Sequence, residues 1–374
     1  MIKKIIKIIL EIIYSIKKYK YDVLIIDDTP YSGSNSYAFF RYLKDKNHLN
    51  VKIINKSKNI FEYLDLVKSS KYVFTSHDIN VFFKRKNQKF IQFWHGIPLK
   101  AMGLLDKTEK RKKKILKNWM KYDYIISSSP FYNTLLNSTT GNYLGRYIVT
   151  GFPRTDYLFK NGRLNEIIQK KDKKIIFFIP TFRKGYVNRD ISEGIERNKN
   201  IFGISDFNIS DFEKFLIENK ILFIAKLHPI EERYYKKLYE NYNLENFMFL
   251  SEDILSKKDI DLYEILPDSD MLITDYSSIY FDYLLLNKPI IFINNDIEEY
   301  IKVRGLLLHP YEFWTPGDKV RTQTDLQNSI LDNFKEDKYI DHRKILKDMF
   351  FIYGNNSCER IYNIIFNGGL HESI

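Results

Sequence analysis

The chain has 374 residues, 44% of them apolar and 28% charged, with a formal net charge of +12; it is too long for one small core, suits two domains of ordinary size, and does not have the composition of a disordered chain. Its one cysteine, Cys358, excludes an internal disulfide and a cysteine zinc cluster, which fits a reducing, cytoplasmic compartment. There is no signal-peptide cleavage site and no uninterrupted apolar run of about 18 residues, so no bilayer-spanning helix is predicted.

The first twenty residues, MIKKIIKIILEIIYSIKKYK, place Ile2, Ile5, Ile6, Ile9, Ile12, Ile13 and Ile16 at helical spacing, with Lys3, Lys4, Lys7 and Glu11 on another face. This predicts an amphipathic helix over residues 1–20, lying either in an anionic lipid interface or against its own domain.

Strand-like runs then alternate with helical patterns. The first set is predicted at Tyr21–Asp27, Val51–Asn55, Tyr72–Ser76, Lys89–Trp94, Tyr122–Ser127 and Tyr147–Gly151. Within it, the segment Lys107–Asp123 carries seven lysines and Arg111 against Glu109 and a closing Asp123. It reads as a solvated helix face, and two basic helices in one half of the chain point toward an anionic membrane surface. No spacing typical of a nucleic-acid motif accompanies the charge, so nucleic acid is not the expected partner.

A polar stretch from Asn161 to Asp172 marks the domain boundary. The second set of strands is predicted at Lys174–Pro180, Leu222–Pro229, Phe247–Ser251, Met271–Tyr276 and Pro289–Asn294. Apolar on both faces and separated by helical spacers, both sets suit parallel sheets covered on both sides. The expected fold is therefore α/β, two doubly wound Rossmann-type domains facing a central cleft.

In such domains ligands bind outside the carboxyl ends of the strands. There the sequence places His95, the run Gly151–Asp156, Pro180–Arg183, Lys226–Pro229 and Thr274–Ser278. Asp275, Ser277 and Ser278 lie where a strand gives way to a helix, where free N–H groups and hydroxyls suit a phosphate. Read alone, the same serines are also a plain N-cap. His95 and His228 occupy corresponding strand ends in the two halves, each with a proline close behind. His48, His77, His309, His342 and His371 have no such company and read as surface or packing residues. No P-loop, G-x-G-x-x-G, G-x-S-x-G or H-E-x-x-H is present.

Six stretches in order, WHGIPLK (94–100), TGFPRTDYL (150–158), PTFR (180–183), KLHP (226–229), SDMLITDYSSIYFDYLLLNKPIIFI (269–293) and RGLLLHPYEFWTPGDKVRT (304–322), resemble the CDP-glycerol glycerophosphotransferases of teichoic acid and capsule synthesis. A weaker match is SGSNSYAFFRYL (32–43). The resemblance implies a GT-B-like fold, with an N-terminal acceptor domain (1–160, including helix 1–20), a C-terminal donor domain (161–355) and a C-terminal helix (356–374) packing back on the first. It implies transfer of glycerol phosphate from CDP-glycerol to a hydroxyl of a polyprenyl-diphosphate-linked saccharide or a polyol phosphate, with release of CMP, by a peripheral protein of the cytoplasmic membrane face. His95 is then the general base and His228 a ligand of the donor phosphates. Ser277, Ser278, Asp275, Arg304, Lys226 and Arg183 fall to donor binding, and Gly96, Lys100 and Asn35 to acceptor binding. No metal ligands are assigned, and a divalent cation such as Mg²⁺ stays open. TPGDKV stands where relatives usually carry PGPxV, which keeps CDP-ribitol as an alternative donor; a GT-B glycosyltransferase using a nucleotide sugar is the other.

Overall fold

The computed structural model describes residues 12–14, 17–55, 60–79, 84–183 and 200–368. They form two compact units, one of Met1–His95, Lys110–Tyr157 and Phe351–Ile374, the other of Gly96–Glu109 and Leu158–Phe350.

The first unit is built on six strands: β1 (Tyr21–Ile26), β2 (Val51–Ile54), β3 (Ser70–Thr75), β4 (Lys89–Gln92), β5 (Tyr124–Ser127) and β6 (Tyr147–Val149). Their order is β2-β1-β3-β4-β5-β6, with every pair parallel. The chain reverses its direction of travel across the sheet between β1 and β3, which makes that the switch point where ligands are expected. Helices cover the sheet and start where the sequence signals them. Ser34 caps Asn35–Lys44, accepting the Tyr37 N–H. Ser129 caps Pro130–Thr140, which opens on proline and stops at Gly141 in the left-handed region; each such cap stabilises its helix by about 1 kcal/mol.

The C-terminal helix Ser357–Phe366 belongs to this same unit, although some two hundred residues separate it from its partners. Asp156 accepts the N–H groups of Ser357 and Cys358 at 2.7 and 2.9 Å, and Arg360 Nε donates to the Thr150 carbonyl at 2.8 Å. Gly151, at φ +83°, must be glycine, because a Cβ there would collide with the Ser357 hydroxyl.

The expected lipid-facing helix over residues 1–20 lies mostly outside the described residues. Of it, residues 12–14 are helical, and the Tyr14 hydroxyl donates to Asp65 at 2.7 Å.

The second unit carries β7 (Lys174–Phe178), β8 (Ile221–Ala225), β9 (Phe247–Phe249), β10 (Met271–Thr274), β11 (Ile290–Ile293) and β12 (Asp318–Val320). The order β12-β11-β10-β7-β8-β9, again all parallel, is the Rossmann order, with its switch point between β7 and β10. One face of the sheet is closed by a phenylalanine cluster, Phe178, Phe202, Phe212, Phe223 and Phe247, all nearly or fully buried. Edge strand β12 was not predicted: it is three residues long and starts on Asp318 and Lys319, so no apolar run announces it.

The segment Gly96–Glu109 departs from the expected division at residue 160. It joins the second unit because Lys100 bridges Leu306 antiparallel, and the Ala101 and Leu307 N–H groups donate to Gly305 and Leu99. Arg304 also pairs with Asp106 at 2.9 Å. Gly96 and Lys100, assigned to the acceptor domain, therefore belong to the other unit.

Candidate active site

In the first unit the chain leaves β4 through Phe93 and Trp94 to reach His95. Trp94 sits at φ +59°, a left-handed conformation that a bulky residue adopts only when its surroundings fix it. Gln92, fully buried, does the fixing: its Oε1 accepts the Trp94 N–H at 2.9 Å and its amide donates to the His77 carbonyl at 3.2 Å. Asn35 Nδ2 donates to the Trp94 carbonyl at 3.0 Å, and its Oδ1 accepts the Arg154 N–H at 3.2 Å. The Arg154 guanidinium donates to the carbonyls of Gly33 and His95 at 3.0 and 3.1 Å.

The ring these braces present is exposed. It lies on Trp94 at 3.9 Å between centroids, and its Nδ1 is 3.4 Å from the Ser76 carbonyl. A carbonyl only accepts, so Nδ1 carries the hydrogen. In the neutral ring Nε2 then holds the lone pair, the arrangement a proton acceptor needs.

Asn35, expected to bind acceptor, is instead a brace: it is 1% exposed and both ends of its amide hold backbone. Gln92 and Arg154 went unassigned in the sequence. Arg154 stood in a run at a strand end, but nothing marked its carbonyl-binding role; Gln92 gave no signal inside an apolar strand.

The second unit arranges the other histidine differently. His228 caps the helix Pro229–Leu238, and its Nδ1 accepts the Ile230 N–H at 3.4 Å. Nδ1 here is the acceptor, so the hydrogen of the neutral ring sits on Nε2, which can only donate. Burial, with Lys226 and Arg233 adding to it, holds the His228 pKa below its ordinary value and so favours that neutral ring. Phe182 packs on the ring at 4.2 Å between centroids. Lys226 is 7% exposed, and its burial lowers its pKa against the pull of Glu232, Glu252 and Asp261.

Arg183 and Asp275, expected among the donor ligands, hold each other instead. Arg183 is 4% exposed, donates to Asp275 at 3.0 Å and to Asp296 at 2.7 Å, and lies over the rings of Tyr276 and Tyr300. Burial opposes its charge, but the two carboxylates outweigh it and hold the pKa above its already high value. Asp275 also accepts the N–H groups of Thr181 and Ser277 at 2.7 and 3.2 Å, so the loops after β7 and β10 are locked together at the switch point. The loop after β10 presents Ser277 and Ser278, both half-buried. The Ser278 hydroxyl does not cap the following helix, which is only five residues long (Ile279–Tyr283). Arg304, also expected to bind the donor, pairs with Asp106. Among the described residues no group of three or more His, Cys, Asp and Glu is placed to hold a metal ion.

Residues 8–367 match the model of the CDP-glycerol:poly(glycerophosphate) glycerophosphotransferase family. The chain belongs to this family.

Among curated relatives, a teichoic acid poly(glycerol phosphate) polymerase of Bacillus spizizenii is 29% identical over 83% of this chain and 84% of its own. A teichoic acid glycerol-phosphate primase of Bacillus subtilis is 28% identical over 81% and 75%. A teichoic acid poly(ribitol-phosphate) polymerase of Bacillus spizizenii is 28% identical over 82% of this chain but 49% of its own. Among solved structures, the wall teichoic acid polymerase TagF superposes with a TM-score of 0.77, at 21% identity, over 98% of this chain and 96% of that one. The family member thus has the GT-B-like fold that its motifs imply.

Proposed function

We propose that this family member transfers glycerol phosphate from CDP-glycerol to an acceptor hydroxyl in teichoic acid synthesis. The observation that carries the reading is the different group facing Nδ1 of each strand-end histidine, a carbonyl for His95 and an N–H for His228. His95 Nε2 takes the hydroxyl proton as the new O–P bond forms; the diphosphate bridge breaks, and its electron pair leaves with CMP. His228 Nε2–H donates to a phosphate oxygen of the donor, and the Ser277 and Ser278 hydroxyls, at the end of another strand of the same unit, hold the donor with it. Phosphoryl transfer relies on positioning and charge stabilisation more than on covalent chemistry, and both rings are positioned by backbone groups. TagF, a relative in fold, has been soaked with CDPG.

The acceptor is a polyprenyl-diphosphate-linked saccharide or a growing polyol phosphate, met at an anionic membrane surface. The helix Lys112–Trp119 supports this: Arg111, Lys112, Lys113, Lys114 and Lys117 are exposed beside Leu116 and Met120, which are 37% and 51% exposed. Basic side chains around exposed apolar ones suit an anionic lipid interface. No described helix is long and apolar enough to cross a membrane.

CDP-ribitol is the second reading, since a ribitol-phosphate polymerase matches nearly as well as the glycerol enzymes. Incubation with CDP-glycerol, CDP-ribitol and UDP-sugars, with a membrane extract as acceptor, tests all of this. CMP from CDP-glycerol, lost in His95→Asn, is expected. CMP from CDP-ribitol alone replaces the donor, and UDP release replaces the reaction class.

A further inference from the structure

Behind His95 lie two ionisable groups with no part in the mechanism above. Asp27 follows β1 and His77 follows β3, and the register Ile26↔Thr75 sets these two chain ends side by side at the switch point of the first sheet. The register Thr75↔Gln92 brings the end of β4, and so His95, alongside as well. The His77 ring lies 5.7 Å from the His95 ring, centroid to centroid and inclined by only 20°. The His77 backbone is fixed here, because its carbonyl accepts from Thr75, Gln92 and Tyr122 at 3.0, 3.2 and 3.2 Å.

Asp27 is 1% exposed. Its Oδ1 accepts from the Ser34 hydroxyl at 2.8 Å and from the Thr29 N–H at 3.3 Å, while its Oδ2 is buried with no hydrogen-bond partner. A buried carboxylate with one bare oxygen is costly unless a cation stands near it. Burial raises the Asp27 pKa; the hydrogen bonds from Ser34 and Thr29 oppose the rise, and the nearby His77 adds to them.

We propose that Asp27 and His77 are positioning residues for the reaction, with Asp27 holding the positive charge on His77 so that the neighbouring His95 stays neutral and able to accept a proton. A cation a few ångströms from an imidazole disfavours a second charge there. Among the described residues, the other charged groups around the pair include Asp28 beside Asp27, Asp78 beside His77, and the Arg154 guanidinium at the His95 carbonyl. Arg154 acts on His95 in the same sense as a charged His77. Asp78, which is exposed and bonded to Asn118, and Asp28 act in the opposite sense from nearer the solvent.

The proposal rests on the reading of His95 as the base, and the test separates the two. CMP release from CDP-glycerol is followed from pH 5 to 9 in the wild type, His95→Asn, His77→Gln and Asp27→Asn. The acid limb of kcat/KM reports the free enzyme's base. It is expected to move to higher pH in His77→Gln, by roughly half to one pH unit, and to move the same way in Asp27→Asn, because His77 then loses the partner that keeps it charged. A uniform fall in rate at every pH with the limb in place overturns the proposal and leaves His95 as base. Full activity in His95→Asn overturns both. Where a variant fails to fold, the wild type labelled with ¹³C at the histidine rings decides: the His77 resonance should titrate above that of His95, and the reverse order overturns the proposal.

Discussion

Arg183 and Asp275 lie 3.0 Å apart, each almost wholly buried, at the carboxyl ends of β7 and β10. That pair joins the loop after β7 to the loop after β10, which carries Ser277 and Ser278, and Asp296 gives Arg183 a second carboxylate. Removing Arg183 leaves two carboxylates buried without their counter-charge. Arg183→Met is expected to destabilise the protein by about 3–5 kcal/mol, measured by denaturant unfolding. Arg183→Lys should recover only part of this, because an ammonium cannot bridge both carboxylates as the planar guanidinium does.

His95→Asn should lower the rate of CMP release by roughly 10²–10⁴-fold, the usual contribution of a positioned base, while the Kd for CDP-glycerol stays within about twofold of the wild type. A calorimetric titration paired with single-turnover kinetics separates the two. Lost binding with normal turnover of bound donor would remove His95 from the chemistry.

His228 links donor binding to stability and pH. His228→Ala removes a cap and should cost about 0.5–2 kcal/mol together with donor affinity, whereas His228→Gln keeps an N–H donor and should retain part of the affinity. The folded-state pKa of His228 lies below the unfolded value of 6.5. Between the two, the unfolded chain binds the proton and the folded chain does not, so stability falls as pH drops from 6.5 toward the folded pKa. Below that pKa the loss is complete, and above 6.5 it is absent. The difference between wild type and His228→Gln unfolding curves should therefore change with pH only below about 6.5.

Changing Lys112, Lys113, Lys114 and Lys117 to Glu should release the protein from vesicles containing anionic lipid without altering its thermal unfolding, because these side chains are exposed. Wild-type binding should weaken as salt is raised. Co-sedimentation of the variant equal to that of the wild type would put the membrane contact elsewhere.

Much of this architecture was legible in the residues. All eleven predicted strands are present, most of them runs of β-branched and aromatic residues buried on both faces, and their ends shift by one or two residues except for Leu222–Pro229, which ends four residues early at Ala225. The helix starts at Ser34 and Ser129 and the stop at Gly141 follow from side-chain chemistry within three residues of the backbone they satisfy. β12 was missed because an edge strand of three residues needs no apolar pattern. The placement of Gly96–Glu109 was missed because it depends on pairing with Leu306 and Arg304, some two hundred residues away.

The sequence by itself determined the family, the parallel α/β sheets and the strand-end positions of His95 and His228, because those depend on local pattern and motif order. What each polar residue does was decided by tertiary structure alone. Asn35, Arg183 and Asp275 carry the right chemistry for ligands at the right strand ends, yet their partners are other parts of the protein. The two histidines look alike in the chain, and only the group facing Nδ1, a carbonyl for one and an N–H for the other, fixes which can take a proton and which can give a hydrogen bond. A side chain's type sets what it is able to bind; its neighbours in space set what remains free to be bound.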